Sequence, residues 1–160
     1  MKHKLISDKQ FGFMKNKGAN DAIAMLSKGI YDNLTSSRPH VITFLDYSKA
    51  FDTIDHGILI SKLHNMGIRG VCLLLIKSYL QDRVPVVKII NVKSQEIKTN
   101  MGVPQGSILG PLLFILYISD LLVVHKELIA YADDTAAPMD GDTWTQIAVN
   151  MTKKLENISP

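Results

Sequence analysis

The sequence is poor in cysteine. Cys72 is the one thiol among 160 residues, which excludes an internal disulfide and a cysteine-built zinc site. It lies in the apolar run Val71 to Ile76, so the expectation is a buried structural thiol rather than a nucleophile. Aromatic residues are also sparse, at 7%. No apolar stretch is long enough for a bilayer. The most apolar run, Ile108 to Val124, is interrupted by Gly110, Pro111 and Asp120 and falls short of the roughly 20 residues a spanning helix needs. The opening Met-Lys-His-Lys-Leu-Ile-Ser-Asp lacks the apolar core of a signal peptide. That leads to the expectation of a protein that is not secreted, intracellular in the nucleus or cytoplasm, with no membrane partner. Neither a Gly-x-x-x-x-Gly-Lys phosphate loop nor a Rossmann glycine fingerprint occurs, and there is no internal repeat or low-complexity tract.

What is present is enough for a core. Hydrophobic residues make up 46% of the chain and charged residues 21%, the proportions of an ordinary folded domain. The net charge of +3 is modest, but its distribution is uneven. Residues 1–40 hold seven Lys/Arg against three acids, residues 41–100 eight against five, and residues 101–140 one against five. A basic first part followed by an acidic stretch suits a phosphate-binding surface around a metal pocket. Solvated lysines on exposed faces explain the same counts equally well.

The local pattern alternates helices and strands. Asn20 can cap a helix to about Ser36, with Ile23, Leu26 and Ile30 on one face. Val41 to Leu45 is a continuous apolar run of strand length, which predicts a strand covered on both faces. A short helical stretch, Ser48 to Phe51, is expected next. Asp55 is a plausible N-cap for a helix stopped by Gly67, and a second helix is expected from Gly70 to Leu80. Val84 to Ile90 and Val92 to Thr99 read as a hairpin, and Met101 to Ser107 as a loop. Pro111 suits the first turn of a buried helix to Val124. Leu128 to Ala132 reads as a short strand, with a return strand that Pro138 should weaken. Asp142 can cap a last helix carrying Trp144, Ile147, Ala148, Met151 and Leu155 on one face. The fold class expected from this order is α+β, with helices on one face of a small antiparallel sheet.

Three segments could carry chemistry. Phe44-Leu45-Asp46 places a carboxylate at the end of a buried strand, where a charge is costly unless it is paired or holds a metal; the alternative is that Asp46 caps the following turn. Gly102-Val103-Pro104-Gln105-Gly106-Ser107 is a glycine-flanked loop before a helix, where backbone N–H groups can approach a ligand. Taken alone, it reads as an ordinary connection. Tyr131-Ala132-Asp133-Asp134 sets two carboxylates side by side, which repel unless a cation such as Mg²⁺ neutralises them; an Asp-Asp pair is also a common surface turn.

In this order, strand–Asp, Gly-x-Pro-Gln-Gly and Tyr-Ala-Asp-Asp resemble the layout of reverse transcriptases, and most closely the non-LTR (LINE-type) retrotransposon branch. Gln10-Phe11-Gly12-Phe13, Ser48 through His56, Ser78 through Arg83 and Gly106 through Phe114 extend the resemblance over nearly the whole chain. The resemblance implies an RNA-directed DNA polymerase that uses two Mg²⁺ ions, or Mn²⁺, with an RNA template, a DNA primer and dNTPs. It implies Asp46, Asp133 and Asp134 as catalytic metal ligands, with the backbone carbonyl of Tyr47 adding an oxygen. Phe51 corresponds to an aromatic gate against the 2′-hydroxyl, and Gln105 and Gly106 to the nucleotide and template pocket. Tyr131 and Ala132 correspond to residues beside the primer end, and Lys15, Lys17 and Arg83 to candidate nucleic-acid contacts.

The implied architecture is a polymerase palm, a ferredoxin-like antiparallel sheet with helices on one face, with partial fingers and no thumb. Residues 1–160 would form one partial domain. Residues 1–40 would be its fingers-side segment, and 41–160 a palm with an embedded hairpin at about 84–99. The remaining fingers and thumb are expected elsewhere in a complete protein, so little activity is expected from these residues alone. The competing expectation is a non-catalytic nucleic-acid-binding remnant of a decayed element, consistent with Pro138, which stands where relatives are apolar and proline-free.

Overall fold

In the computed structural model, residues 5–81, 83–84, 86–95 and 98–158 are described. The chain divides into two compact units, Met1–Ser48 with Ile118–Pro160, and Lys49–Tyr117. Among the described residues the architecture is mixed α+β, with five helices and two antiparallel sheets. No helix among them is long and apolar enough to cross a membrane.

The first unit is built on a three-stranded sheet. Its strands are β1 (His40–Leu45), β4 (Ile129–Tyr131) and β5 (Asp134–Asp140), ordered β1-β5-β4. The β1–β5 register runs from His40 opposite Asp140 to Leu45 opposite Thr135, and Tyr131 faces Asp134 in the β4–β5 hairpin. Beyond β4 the chain near Gln10 lies parallel to Ala130. The Phe11 N–H donates to the Ala130 carbonyl at 2.8 Å, and the Ala130 N–H to the Lys9 carbonyl at 2.9 Å.

Helix α1 (Ala19–Thr35) starts at Gly18, not at Asn20, and the Asp21 carboxylate accepts the Gly18 N–H at 2.7 Å. Its Ala22 joins Phe11 and Ile129 in one buried cluster, while Leu122, Leu128, Ala130 and Ala137 form another. Helix α5 (Trp144–Ile158) closes the chain. Its first turn is capped by Thr143, whose hydroxyl accepts the Gln146 N–H at 3.2 Å. Asp142, the expected cap, is drawn instead to Arg38 at 3.3 Å. Of the expected apolar face, Ile147 is buried and Met151 and Leu155 are half-buried, but Trp144 and Ala148 are exposed.

The second unit holds α2 (His56–Asn65), α3 (Gly70–Leu80) and the hairpin β2 (Lys88–Ile89) with β3 (Val92–Lys93). Asp55 caps α2 as expected, its carboxylate accepting the Ile58 N–H at 2.8 Å. Gly67 ends it at φ 91°, a conformation open to glycine. The segment Ser48 to Phe51 forms turns rather than helix, with Lys49 at φ 55°. The hairpin strands are shorter than the apolar pattern suggested, and parts of both expected strands fall outside the described residues. Helix α4 (Leu109–Val124) begins in this unit and continues into the first.

Three further expectations are corrected. Cys72 is exposed, not buried: α3 buries Leu80 and leaves Val71 82% exposed along with Leu74 and Leu75. Strand β1 is not covered on both faces, because Phe44 is 73% exposed. Pro138 does not break the return strand. It sits within β5 opposite Ile42, past the stretch paired with β4, so β5 has a neighbour there on one side only, the situation in which a strand tolerates proline.

Candidate active site

The sheet of the first unit brings the three carboxylates to one end. Asp46 follows Leu45, the last residue of β1, and Asp134 opens β5 beside Thr135, the partner of Leu45. Asp133 and Ala132 form the turn between β4 and β5. Asp46 and Asp134 are exposed and Asp133 is half-buried. Ala132 holds the turn with φ 58°, a left-handed conformation that costs a non-glycine residue about 1–2 kcal/mol.

The donor set is oxygen only, which suits a hard divalent cation. Among the described residues no three His, Cys, Asp or Glu side chains form a ready cage. Tyr47 follows Asp46 with its hydroxyl buried and without a hydrogen-bond partner. Burial raises this phenol above its ordinary pKa, so it stays neutral through the physiological range.

Two residues beside the turn, Gln10 and Gly12, were given no site role in the sequence. Gln10 is fully buried. Its Oε1 accepts the N–H of Gly12 at 2.9 Å and of Ala132 at 3.0 Å, and its Nε2 donates to the Ala132 carbonyl at 3.4 Å. Gly12 is held against the same turn; a Cβ there would stand 2.2 Å from the Ala132 nitrogen. Lys17 also serves this segment. Its ammonium donates to the carbonyls of Asp8 and Gln10 and lies 4.8 Å from the Phe11 ring centroid. Lys15 is exposed and Tyr131 is 41% exposed.

The other predicted residues gather in the second unit. The turn carrying Phe51 and the Gln105 loop are tied together: Val103 N–H donates to the Phe51 carbonyl at 2.9 Å and Gly102 N–H to that of Ile54 at 2.8 Å. Gly102, at φ 84°, lets the backbones meet, since a Cβ there would lie 3.0 Å from the Asp52 oxygen. The Gln105 amide donates to the Asp52 carboxylate at 3.1 Å, so Asp52, which had been given no site role in the sequence, holds the Gln105 side chain.

Phe51 stacks on Phe114, ring centroids 4.7 Å apart, a contact that fixes its ring. Gly106 has φ 78° and open space where a Cβ would point. Gln105, Asp52 and Arg83 line one cleft of about 510 Å³. The Arg83 guanidinium lies over the Tyr79 ring at 4.5 Å and donates to the Tyr79 carbonyl at 2.8 Å. His56 Nε2 is 2.7 Å from the Gly102 carbonyl oxygen, a structural bond in which the imidazole donates.

A family model described as reverse transcriptase (RNA-dependent DNA polymerase) matches residues 1–157. The chain belongs to the reverse transcriptase family. Among its relatives, the probable RNA-directed DNA polymerase from transposon BS of Drosophila melanogaster is 31% identical over 168 residues, covering 98% of this chain and 18% of the relative. The RNA-directed DNA polymerase from mobile element jockey of the same fly is 34% identical over 142 residues, covering 83% of the chain and 15% of the relative. A putative 115 kDa protein of the type-1 retrotransposable element R1DM is 29% identical over 84% of the chain. This reverse transcriptase segment is therefore of the non-LTR retrotransposon kind, and it spans less than a fifth of the length of the first two relatives.

Proposed function

We propose that the chain carries the catalytic palm of an RNA-directed DNA polymerase that extends a DNA primer on an RNA template inside the cell. The observation that supports this reading best is the convergence of Asp46 and Asp133-Asp134 at one end of the β1-β5-β4 sheet, reached from opposite ends of the sequence. In this reading Asp46, Asp133, Asp134 and the Tyr47 carbonyl hold two Mg²⁺ ions, with Mn²⁺ as a substitute. Bound there, divalent cations would supply Lewis-acid activation of the primer 3′-hydroxyl and charge neutralisation at the transferring phosphate.

The protein's own part is positioning. The Phe51 ring, backed by Phe114, stands as the wall that a ribose 2′-hydroxyl would strike, a rejection by clash. Gln105 and Gly106 line the nucleotide and template pocket, with Asp52 orienting the Gln105 amide. Tyr131 and Ala132 flank the primer end, and Lys15 and Arg83 serve the nucleic-acid backbone, whereas Lys17 is engaged by the carbonyls of Asp8 and Gln10. Residues 1–40 would be the fingers-side segment of a single partial domain, and 41–160 its palm.

Primer extension on an RNA template tests this. The 160-residue chain is expected to incorporate dNTPs weakly or not at all, and a protein of the relatives' length to incorporate them readily. In the active protein, Asp133→Ala is expected to abolish detectable incorporation. Incorporation persisting in that variant refutes the assignment.

A further inference from the structure

We infer that Gln10 is a positioning residue for the metal-binding turn, acting through the backbone of Ala132. The inference rests on the reading of Asp133-Asp134 as metal ligands and adds a residue that touches neither metal nor substrate. A fully buried amide in a loop is unusual, and each polar atom of this one is used. Its oxygen takes two N–H groups, those of Gly12 and Ala132, and its nitrogen reaches the carbonyl of Ala132.

Ala132 is the strained residue of the turn. Its φ of 58° belongs to a region that alanine visits rarely, and the next residue along is Asp133. Turn geometry therefore sets where the Asp133 carboxylate points. Gln10 grips both polar groups of Ala132, while Gly12 removes the Cβ that would push the turn away. The clamp is itself anchored: Lys9 and Phe11 bond the backbone of Ala130, and the Lys17 ammonium bonds the Gln10 carbonyl. Losing the amide would free the turn to relax toward commoner backbone angles and swing Asp133 off the cation site.

The test compares Gln10→Met, of similar volume but without the acceptor, with Gln10→Glu, which keeps an oxygen for the two N–H groups. Two properties of the 160-residue chain are read: amide hydrogen exchange in metal-free protein, and Mn²⁺ affinity by electron paramagnetic resonance. In Gln10→Met the amide of Ala132 is expected to exchange about tenfold faster or more, and Mn²⁺ affinity to fall about tenfold, the scale of one or two lost buried hydrogen bonds. The β1–β5 ladder amides should be unchanged. Gln10→Glu should recover the Ala132 protection.

Wild-type protection and affinity in Gln10→Met would overturn the inference. So would loss of protection spread evenly over the β1–β5 ladder, because Gln10 would then be only a core polar group. If Gln10→Met fails to fold, Gln10→Asn, which withdraws the amide by one methylene, is read in the same way, and unchanged Ala132 exchange overturns the inference there. Asp133→Asn serves as the control. It should lose Mn²⁺ affinity with Ala132 protection intact; wild-type affinity in that variant would sink the metal-site reading itself, while the exchange data still judge Gln10.

Discussion

At the scale of single residues, the candidate site depends on close backbone approaches as much as on its carboxylates. Gly12 is the sharpest case. Any side chain there collides with the Ala132 nitrogen, and because that atom belongs to the backbone of a turn, the neighbour cannot rotate aside. Gly12→Ala is expected to lower stability by about 1–3 kcal/mol, the ordinary cost of forcing a methyl into a packed site, measured as a shift in the chemical denaturation midpoint. Gln10 belonged to a motif that the family resemblance includes, but its structural role was not legible in the sequence. A polar residue in a loop reads as solvated, and its partner Ala132 lies 122 positions along the chain. Asp46, Asp133 and Asp134 were singled out through the ordered motifs they belong to, since each alone reads as an ordinary cap or turn; the amide and the glycine that hold their turn carried no such signal.

At the scale of elements, legibility followed how much the signal was local. Helix α3 was placed at Gly70 to Leu80 from its flanking glycine and its apolar run, and those are its bounds. The exposure of Cys72 was not legible, because six apolar residues in a row carry no period to mark a buried face. Pro138 was misjudged because the cost of a proline depends on whether the strand has a neighbour on its other side, which only the sheet order reveals. The Asp55 cap of α2 was local and correct. Asp55→Ala is expected to cost about 1 kcal/mol, the typical value of an N-cap, read from thermal melting.

The loop after α4 and the body of α5 meet through Glu127 and Lys154, whose charged groups are 3.0 Å apart. Burial pushes the Glu127 carboxyl up, but its own backbone hydrogen bond, Lys154 and His125 together outweigh this and leave it below the usual carboxylate value. A lowered folded pKa binds the proton less readily than the unfolded chain does. The pair's contribution is therefore present above the ordinary glutamate value of about 4.3 and lost as pH falls below it. With the Glu127 carboxylate 45% exposed, it amounts to under about 1 kcal/mol. Urea midpoints between about pH 3 and 6 should show a shallower pH slope in Lys154→Met than in the wild type.

At the scale of the whole molecule, charge distribution governs what the chain can hold. The basic first part should bind RNA or an RNA–DNA hybrid with an affinity that falls as salt rises. The lysines there are not equivalent. Lys15 is exposed, so Lys15→Ala is expected to reduce the slope of log affinity against log salt by about one. Lys17 is already engaged by the carbonyls of Asp8 and Gln10, so Lys17→Ala should lower the melting temperature more than it lowers the salt slope. Equal effects of the two variants on both measurements would contradict this division of labour.

The first unit is made from two separated stretches of chain, with the second unit inserted between them. On the ribosome this becomes an order of events. Asp46 and strand β1 emerge early, yet β1 has no partner until β5 has been made, a wait on the order of ten seconds at ordinary elongation rates. Through that interval the inserted unit, continuous in sequence, can fold while β1 stays an unpaired edge, the kind of surface that recruits other chains. The carboxylate cluster is thus among the last features of the molecule to be assembled, and nascent protein stalled anywhere before Thr135 would carry Asp46 on an unpaired strand.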